Sequence, residues 1–149
     1  MPFRFSLEAV LRFRQSLERR ERQRLEVITR EVVNAKAQQQ AAQRDRVNAR
    51  AQFQNKLHQG MTAAEMQFEL ASDRARQRRI AALDAQMAKL EDLRRRQLEV
   101  FLHAQQQREI VENLRARQLA AYRLDQARRD QQQADERYLI SHARQPSAG

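Results

Sequence analysis

The chain has no cysteine and no tryptophan, and its 149 residues include only two glycines and two prolines. Without cysteine there is no disulfide scaffold, no thiolate metal site and no cysteine nucleophile. Three of the four helix breakers sit at the ends, Pro2, Pro146 and Gly149, so Gly60 is the sole one between Phe3 and Gln145. Two glycines cannot build a phosphate-cradling loop. Aromatic residues are 5% of the chain against 32% charged, which argues against a thick three-dimensional core. No apolar run approaches the roughly 20 residues that span a bilayer, and Met1-Pro2-Phe3-Arg4 opens without the apolar stretch of a signal peptide. A soluble cytoplasmic protein with no direct membrane insertion is therefore expected.

What is present is Ala, Arg, Gln, Glu and Leu, the residues that lose least entropy on entering a helix. Disordered chains carry the opposite bias, toward Pro, Gly and Ser. The expectation is an all-α protein of long helices. Gly60 and Met61 are followed by Thr62-Ala63-Ala64-Glu65, a capping-box spacing. In that motif the Thr62 hydroxyl accepts from the Glu65 amide and the Glu65 carboxylate reaches back to the Thr62 amide. Gly60 ahead of it can take the left-handed conformation that ends a helix. One coiled-coil domain over residues 1–149 is expected, with a helix at about 7–58, a turn at about 59–61 and a helix at about 62–140.

Helices of this length with so few apolar residues need a packing partner, and folding back at Gly60 supplies one. Ile80, Leu83, Met87 and Leu90 alternate by three and four, as do Leu25, Ile28, Val32 and Ala35. This is the spacing of knobs-into-holes packing, so the fold class is a long two-helix antiparallel coiled-coil hairpin. A register in which facing numbers sum to about 121 sets Leu7 against Leu114, Val10 against Val111, Leu11 against Ile110, Ile28 against Leu93 and Phe53 against Phe68. The step of eleven from Leu17 to Ile28 suggests a stutter that locally unwinds the supercoil.

Two features stand outside this hairpin. The second helix outruns the first, leaving an overhang beyond about residue 115 that carries Leu119, Tyr122, Leu124, Tyr138, Leu139 and Ile140. The middle is basic. Arg44, Arg46 and Arg50 lie opposite Arg74, Arg76, Arg78 and Arg79, with Asp45 and Asp73 nearby. Both features read as binding surfaces.

No catalytic or cofactor site is expected. His58, His103 and His142 have no second ligand at metal spacing, and the serines lack a nucleophile-elbow setting. Glu8–Arg12, Glu18–Arg22 and Glu91–Arg95 read as helix-surface pairs, not as acid/base dyads. The net charge of +10 implies an acidic partner without choosing which. Nucleic acid is one possibility, through Arg19-Arg20, Arg78-Arg79 and Arg94-Arg95-Arg96. A zipper reader, however, gathers its basic residues ahead of a strict leucine heptad. Here they are interleaved with acids along both helices, so no nucleic-acid partner is expected.

Two stretches resemble the flagellar export protein family FliJ. One is the opening Phe3-Arg4-Phe5-Ser6-Leu7-Glu8-Ala9-Val10-Leu11-Arg12-Phe13-Arg14. The other comprises Glu112-Asn113-Leu114-Arg115-Ala116-Arg117, Ala121-Tyr122, Arg128-Arg129-Asp130-Gln131 and Asp135-Glu136. The resemblance implies a stalk and chaperone-escort component of the flagellar type III export apparatus, a motility protein and not an enzyme. Its implied partners are the hexameric export ATPase, the cytoplasmic domain of the export gate protein and export chaperones. Its implied location is the cytoplasmic face of the inner membrane. The equivalent stalk of a virulence injectisome and a nucleic-acid-binding dimeric coiled coil are the alternatives. Leu119, Tyr122 and Leu124 are the candidate ATPase contacts. On the middle of the hairpin Gln38 fits the family's gate-binding surface, while Ala42, Asp45, Ala49, Ser72 and Arg76 stand where larger or apolar residues are expected. Charge from Arg44, Arg46, Arg74 and Arg76 is expected to substitute there.

Overall fold

The helix-favouring composition is realised almost without interruption. In a computed structural model, which describes residues 2–144, there are two α-helices, α1 over Glu8–Gln59 and α2 over Ala63–Arg144, and no strand among the described residues. The break between them follows the expected chemistry. Gly60 has φ +101°, a conformation that costs a residue with a Cβ about 1–2 kcal/mol. The Gly60 amide donates to the Leu57 carbonyl at 3.4 Å. On the far side the Glu65 amide donates to the Thr62 hydroxyl at 3.2 Å and the Met66 amide to the Thr62 carbonyl at 3.0 Å. The returning half of the capping box is missing among the described residues: Glu65 is exposed and makes no bond to the Thr62 amide. Thr62 caps α2 alone.

The chain divides into two compact units, Met1–Glu18 with His103–Gly149, and Arg19–Leu102. In each, part of α1 runs antiparallel to part of α2, because the partner number falls as the α1 number rises. In the first unit Glu8 receives Arg115 and Glu18 receives Arg108. In the second, Glu21, Gln39 and Arg46 meet Gln97, Asp84 and Asp73 in turn.

Along α1 the covered positions follow an unbroken heptad: Leu11, Arg14, Glu18, Glu21, Leu25, Ile28, Val32, Ala35, Gln39, Ala42, Arg46, Ala49 and Phe53. This overturns the expected stutter. The seam between Leu17 and Ile28 is occupied by Glu18 and Glu21, which are 5% and 7% exposed, so an apolar pattern alone misses those two turns. On α2 the same spacing runs through Asp73, Arg76, Ile80, Leu83, Met87 and Leu90, skips the exposed Arg94, and resumes at Gln97 and Phe101. Val32, Ala35 and Ala42 lie on this stripe of α1 and Ile80, Met87 and Leu90 on that of α2. Phe68, Ile110 and Leu93, expected in the seam, are 73%, 55% and 46% exposed.

The apolar core is thin. Phe5, Leu11, Val32, Ala35 and Ala42 are its buried members, and none belongs to α2. At about 25 cal/mol per Å² of apolar surface removed from water, alanine-rich layers contribute little each. Polar groups in the seam must therefore be paired, since an unpaired buried charge costs several kcal/mol. No buried side-chain polar atom lacks a partner among the described residues.

Candidate functional site

The waist, where α1 around Arg44–Arg50 lies beside α2 around Glu69–Arg79, holds one group of predicted residues. It is not the repulsive cluster that the arginine count implies. Arg46 contacts Asp73 through both Nε (3.2 Å) and Nη2 (3.5 Å), and Arg76 Nη1 lies 2.9 Å from Glu69 Oε1. Hydrogen bonding from Arg46, reinforced by the charges of Arg46, Arg50 and Arg76, lowers the Asp73 pKa below its usual value. Two of the four arginines expected to offer free charge are thus engaged within the hairpin. Glu69 escaped the sequence reading because it lies seven residues from Arg76, a separation of two helical turns that local pairing rules do not cover.

The other two remain open. Arg44 is exposed, with Nε donating to the Gln40 carbonyl at 3.4 Å, and Arg74 is exposed with no ion pair among the described residues. Arg78 and Arg79 stand in the same condition, and Gln38 is exposed on α1. Val47, 66% exposed, sits with Arg44, Gln40, Gln43 and Asn48 in a shallow groove. The waist therefore leaves Arg44, Arg74, Arg78 and Arg79 exposed, while Arg46 ties α1 to α2 and Arg76 is paired within α2.

The second group lies on the C-terminal part of α2. The expected overhang begins later than residue 115, because the non-helical N-terminal segment extends the cover. Phe5 is 7% exposed and the Phe3 ring stands 5.5 Å from that of Tyr122, tilted by 50°. Arg115 lies 5.9 Å from the Phe3 ring centre and ion-pairs with Glu8 at 3.1 Å. Pro2, Phe3 and Arg4 line a groove with Gln118, Ala121, Tyr122, Leu124, Asp125 and Arg128. Of the three predicted contacts, Leu119 and Tyr122 are half-buried and Leu124 is 56% exposed. Phe3 and Phe5 are the residues that sequence reasoning left out of this surface. The alternating Phe-x-Phe was visible as a motif, but its docking place on α2 was not.

From Ala127 to Arg144 every residue is exposed, including Tyr138, Leu139 and Ile140. The local bonds there are Arg129 to Asp125 at 3.3 Å, Gln131 to Asp135 at 3.2 Å and a stack of Tyr138 on His142 with centroids 5.8 Å apart. This is a stretch of bare helix. Among the described residues no cluster of His, Cys, Asp or Glu has the arrangement of a metal site, and no helix is long and apolar enough to cross a membrane.

The model of the flagellar FliJ protein family matches residues 3–147, nearly the whole chain. The chain belongs to the FliJ family. Comparison with curated proteins and with solved structures returns no match. FliJ membership makes this hairpin a component of the flagellar type III export apparatus, in a family of structural, chaperone-like proteins not known as enzymes. The Phe-x-Phe opening, within the matched residues, is also the segment whose Phe3 packs against Tyr122.

Proposed function

We propose that this FliJ protein is the cytoplasmic stalk of the flagellar export apparatus, entering the hexameric export ATPase with the end of α2 and reaching the cytoplasmic domain of the export gate through its waist. The observation that carries this reading is the bare helix of residues 127–144. Helical segments in water owe most of their stability to packing, so a segment without a protein neighbour is suited to a partner that surrounds it, as a ring's pore does. Leu124, with Leu119 and Tyr122 at the edge of the N-terminal cover, is the contact for the mouth of such a ring once residues 127–144 have entered it. At the waist the open arginines Arg44 and Arg74, beside Gln38, supply charge to the gate, while Arg46 acts indirectly by tying α1 to α2 and Arg76 by its pair with Glu69 along α2. Escort of export chaperones and residence at the inner membrane's cytoplasmic face follow from the same role. Family membership favours the flagellar apparatus over an injectisome stalk.

The test is a pull-down of purified protein against the hexameric export ATPase, with turnover read in the same tubes. Binding at low stoichiometry to the ring, lost in Leu124→Ala, is the expected result. No binding and no change in turnover would remove the stalk role. For the gate, binding that weakens from low to high salt and drops in Arg44→Ala/Arg74→Ala is expected, because exposed charges are screened beyond about 8–10 Å at physiological ionic strength. Salt-independent binding would remove the electrostatic account, and a gel shift with duplex DNA would revive the nucleic-acid alternative.

A further inference from the structure

The heptad that α2 shares with α1 does not continue past Tyr122. Carried forward, it falls on Asp125, Arg129, Gln132 and Glu136, which are charged or polar. A second stripe with the same alternation of three and four starts in a different phase: Leu124, Ala127, Gln131, Ala134, Tyr138 and Ser141. All six are exposed. A change of phase puts this stripe on another side of the helix, so it is prepared for a partner other than α1.

Charge identifies the partner. Beside the stripe, on one flank, stand Arg128 and Asp135, and on the other, Asp130 and Arg137. Arg128, Asp130 and Arg137 form no ion pair among the described residues, and Asp135 accepts only from Gln131. In an antiparallel pair of helices, like flanks lie against each other. Turned about a two-fold axis between Gln131 and Ala134, the stripe faces itself: Ala127 meets Tyr138 and Leu124 meets Ser141. Arg128 then meets Asp135 and Asp130 meets Arg137, each twice by symmetry. Only the outermost flank pair, Arg123 with Arg144, is like-charged, and Arg144 is the last residue of α2, where helices fray.

We propose that residues 124–141 of α2 pair antiparallel with the same residues of a second copy of this chain. The pairing is a property of the free protein and does not depend on ring binding. Leu139 and Ile140 lie off the stripe and stay uncovered by it. With alanine and glutamine at its centre the stripe buries little apolar surface, so the association is reversible and governed by the four flank pairs.

Sedimentation velocity of the full chain over a hundredfold concentration range tests this. The average mass is expected to rise with concentration toward that of two chains, and to fall back when salt is raised. Arg128→Asp alone and Asp135→Arg alone each place like charges together twice per dimer and are expected to weaken association at least tenfold. The double variant Arg128→Asp/Asp135→Arg is expected to restore it. Circular dichroism checks that all three variants keep the helix content of the parent, as substitution at exposed sites predicts. A monomer at every concentration overturns the proposal. So does a dimer indifferent to the single reversals, or one that the double reversal fails to restore.

Discussion

Arg108 bridges Glu18 on the opposite helix and Glu112 one turn further along its own, and this three-residue ion network occupies a seam position where a coiled coil ordinarily places an apolar side chain. Glu18 is almost fully buried and Arg108 is 19% exposed in its side chain. Hydrogen bonding to Glu18 raises the Arg108 pKa further above its already high ordinary value, so the guanidinium stays charged throughout the accessible pH range. Removing Arg108 takes from the nearly buried Glu18 carboxylate its partner on the opposite helix. Arg108→Leu is expected to destabilise the fold by about 2–4 kcal/mol, whereas Glu18→Leu/Arg108→Leu is expected to recover most of that loss. Urea unfolding followed by circular dichroism measures both, and a double variant as unstable as the single one would show that the network does more than pair two charges.

At the waist the sign of the pH dependence follows from Asp73. Its pKa is depressed by Arg46, so the Arg46–Asp73 pair contributes stability that is fully present above the unfolded-state value, about 4. That contribution is lost as pH falls through the lower folded-state value. Thermal unfolding between about pH 5 and about pH 2.5, across the ordinary carboxylate range, is expected to show a steeper decline for the parent than for Asp73→Asn. Parallel declines would mean the pair adds nothing to stability.

The turn offers two separable substitutions. Thr62→Ala removes the one hydroxyl cap of α2 and is expected to cost about 1 kcal/mol. At Gly60 an added Cβ meets nothing within 4 Å, so Gly60→Ala is expected to cost about 1–2 kcal/mol from backbone strain alone. Glu65→Ala, by contrast, is expected to have little effect, since its carboxylate does not complete the capping box. Denaturant midpoints for the three variants rank them.

The N-terminal cover is accessible to spectroscopy because the chain has two tyrosines and no tryptophan. Tyr138 is 68% exposed while Tyr122 is shielded by Phe3. Phe3→Ala is expected to raise acrylamide quenching of tyrosine emission and to cost about 0.5–1.5 kcal/mol from the lost aromatic pair. Quenching equal to the parent's would place Tyr122 outside the cover in solution.

The composition, the lone Gly60 with Thr62 after it, and the repeats at Leu25–Ala35 and Ile80–Leu90 determined two long helices folded back on each other. Those signals are local: helix propensity, a cap and a period need only neighbours in the chain. The register was not local. Its choice rested on matching apolar residues, while the seam also uses Glu18, Glu21, Gln39, Arg46 and Arg108, whose burial is tolerable only with Arg108, Gln97, Asp84, Asp73 and Glu18 opposite them. The state of each waist arginine was likewise invisible in one dimension. Arg44 and Arg46 differ by two positions, about 200° around a helix, and only the packed pair shows that one is exposed to solvent and the other ion-paired across the hairpin. Glu8 and Glu91 make the same point: expected to hold Arg12 and Arg95, they pair instead with Arg115 across the hairpin and with Arg94. The sequence alone determined that the chain is helical and hinged, and where its charge and its apolar periods lie. Tertiary structure decided which charges are consumed in holding the helices together, because whether a charge is available to a partner depends on what stands opposite it.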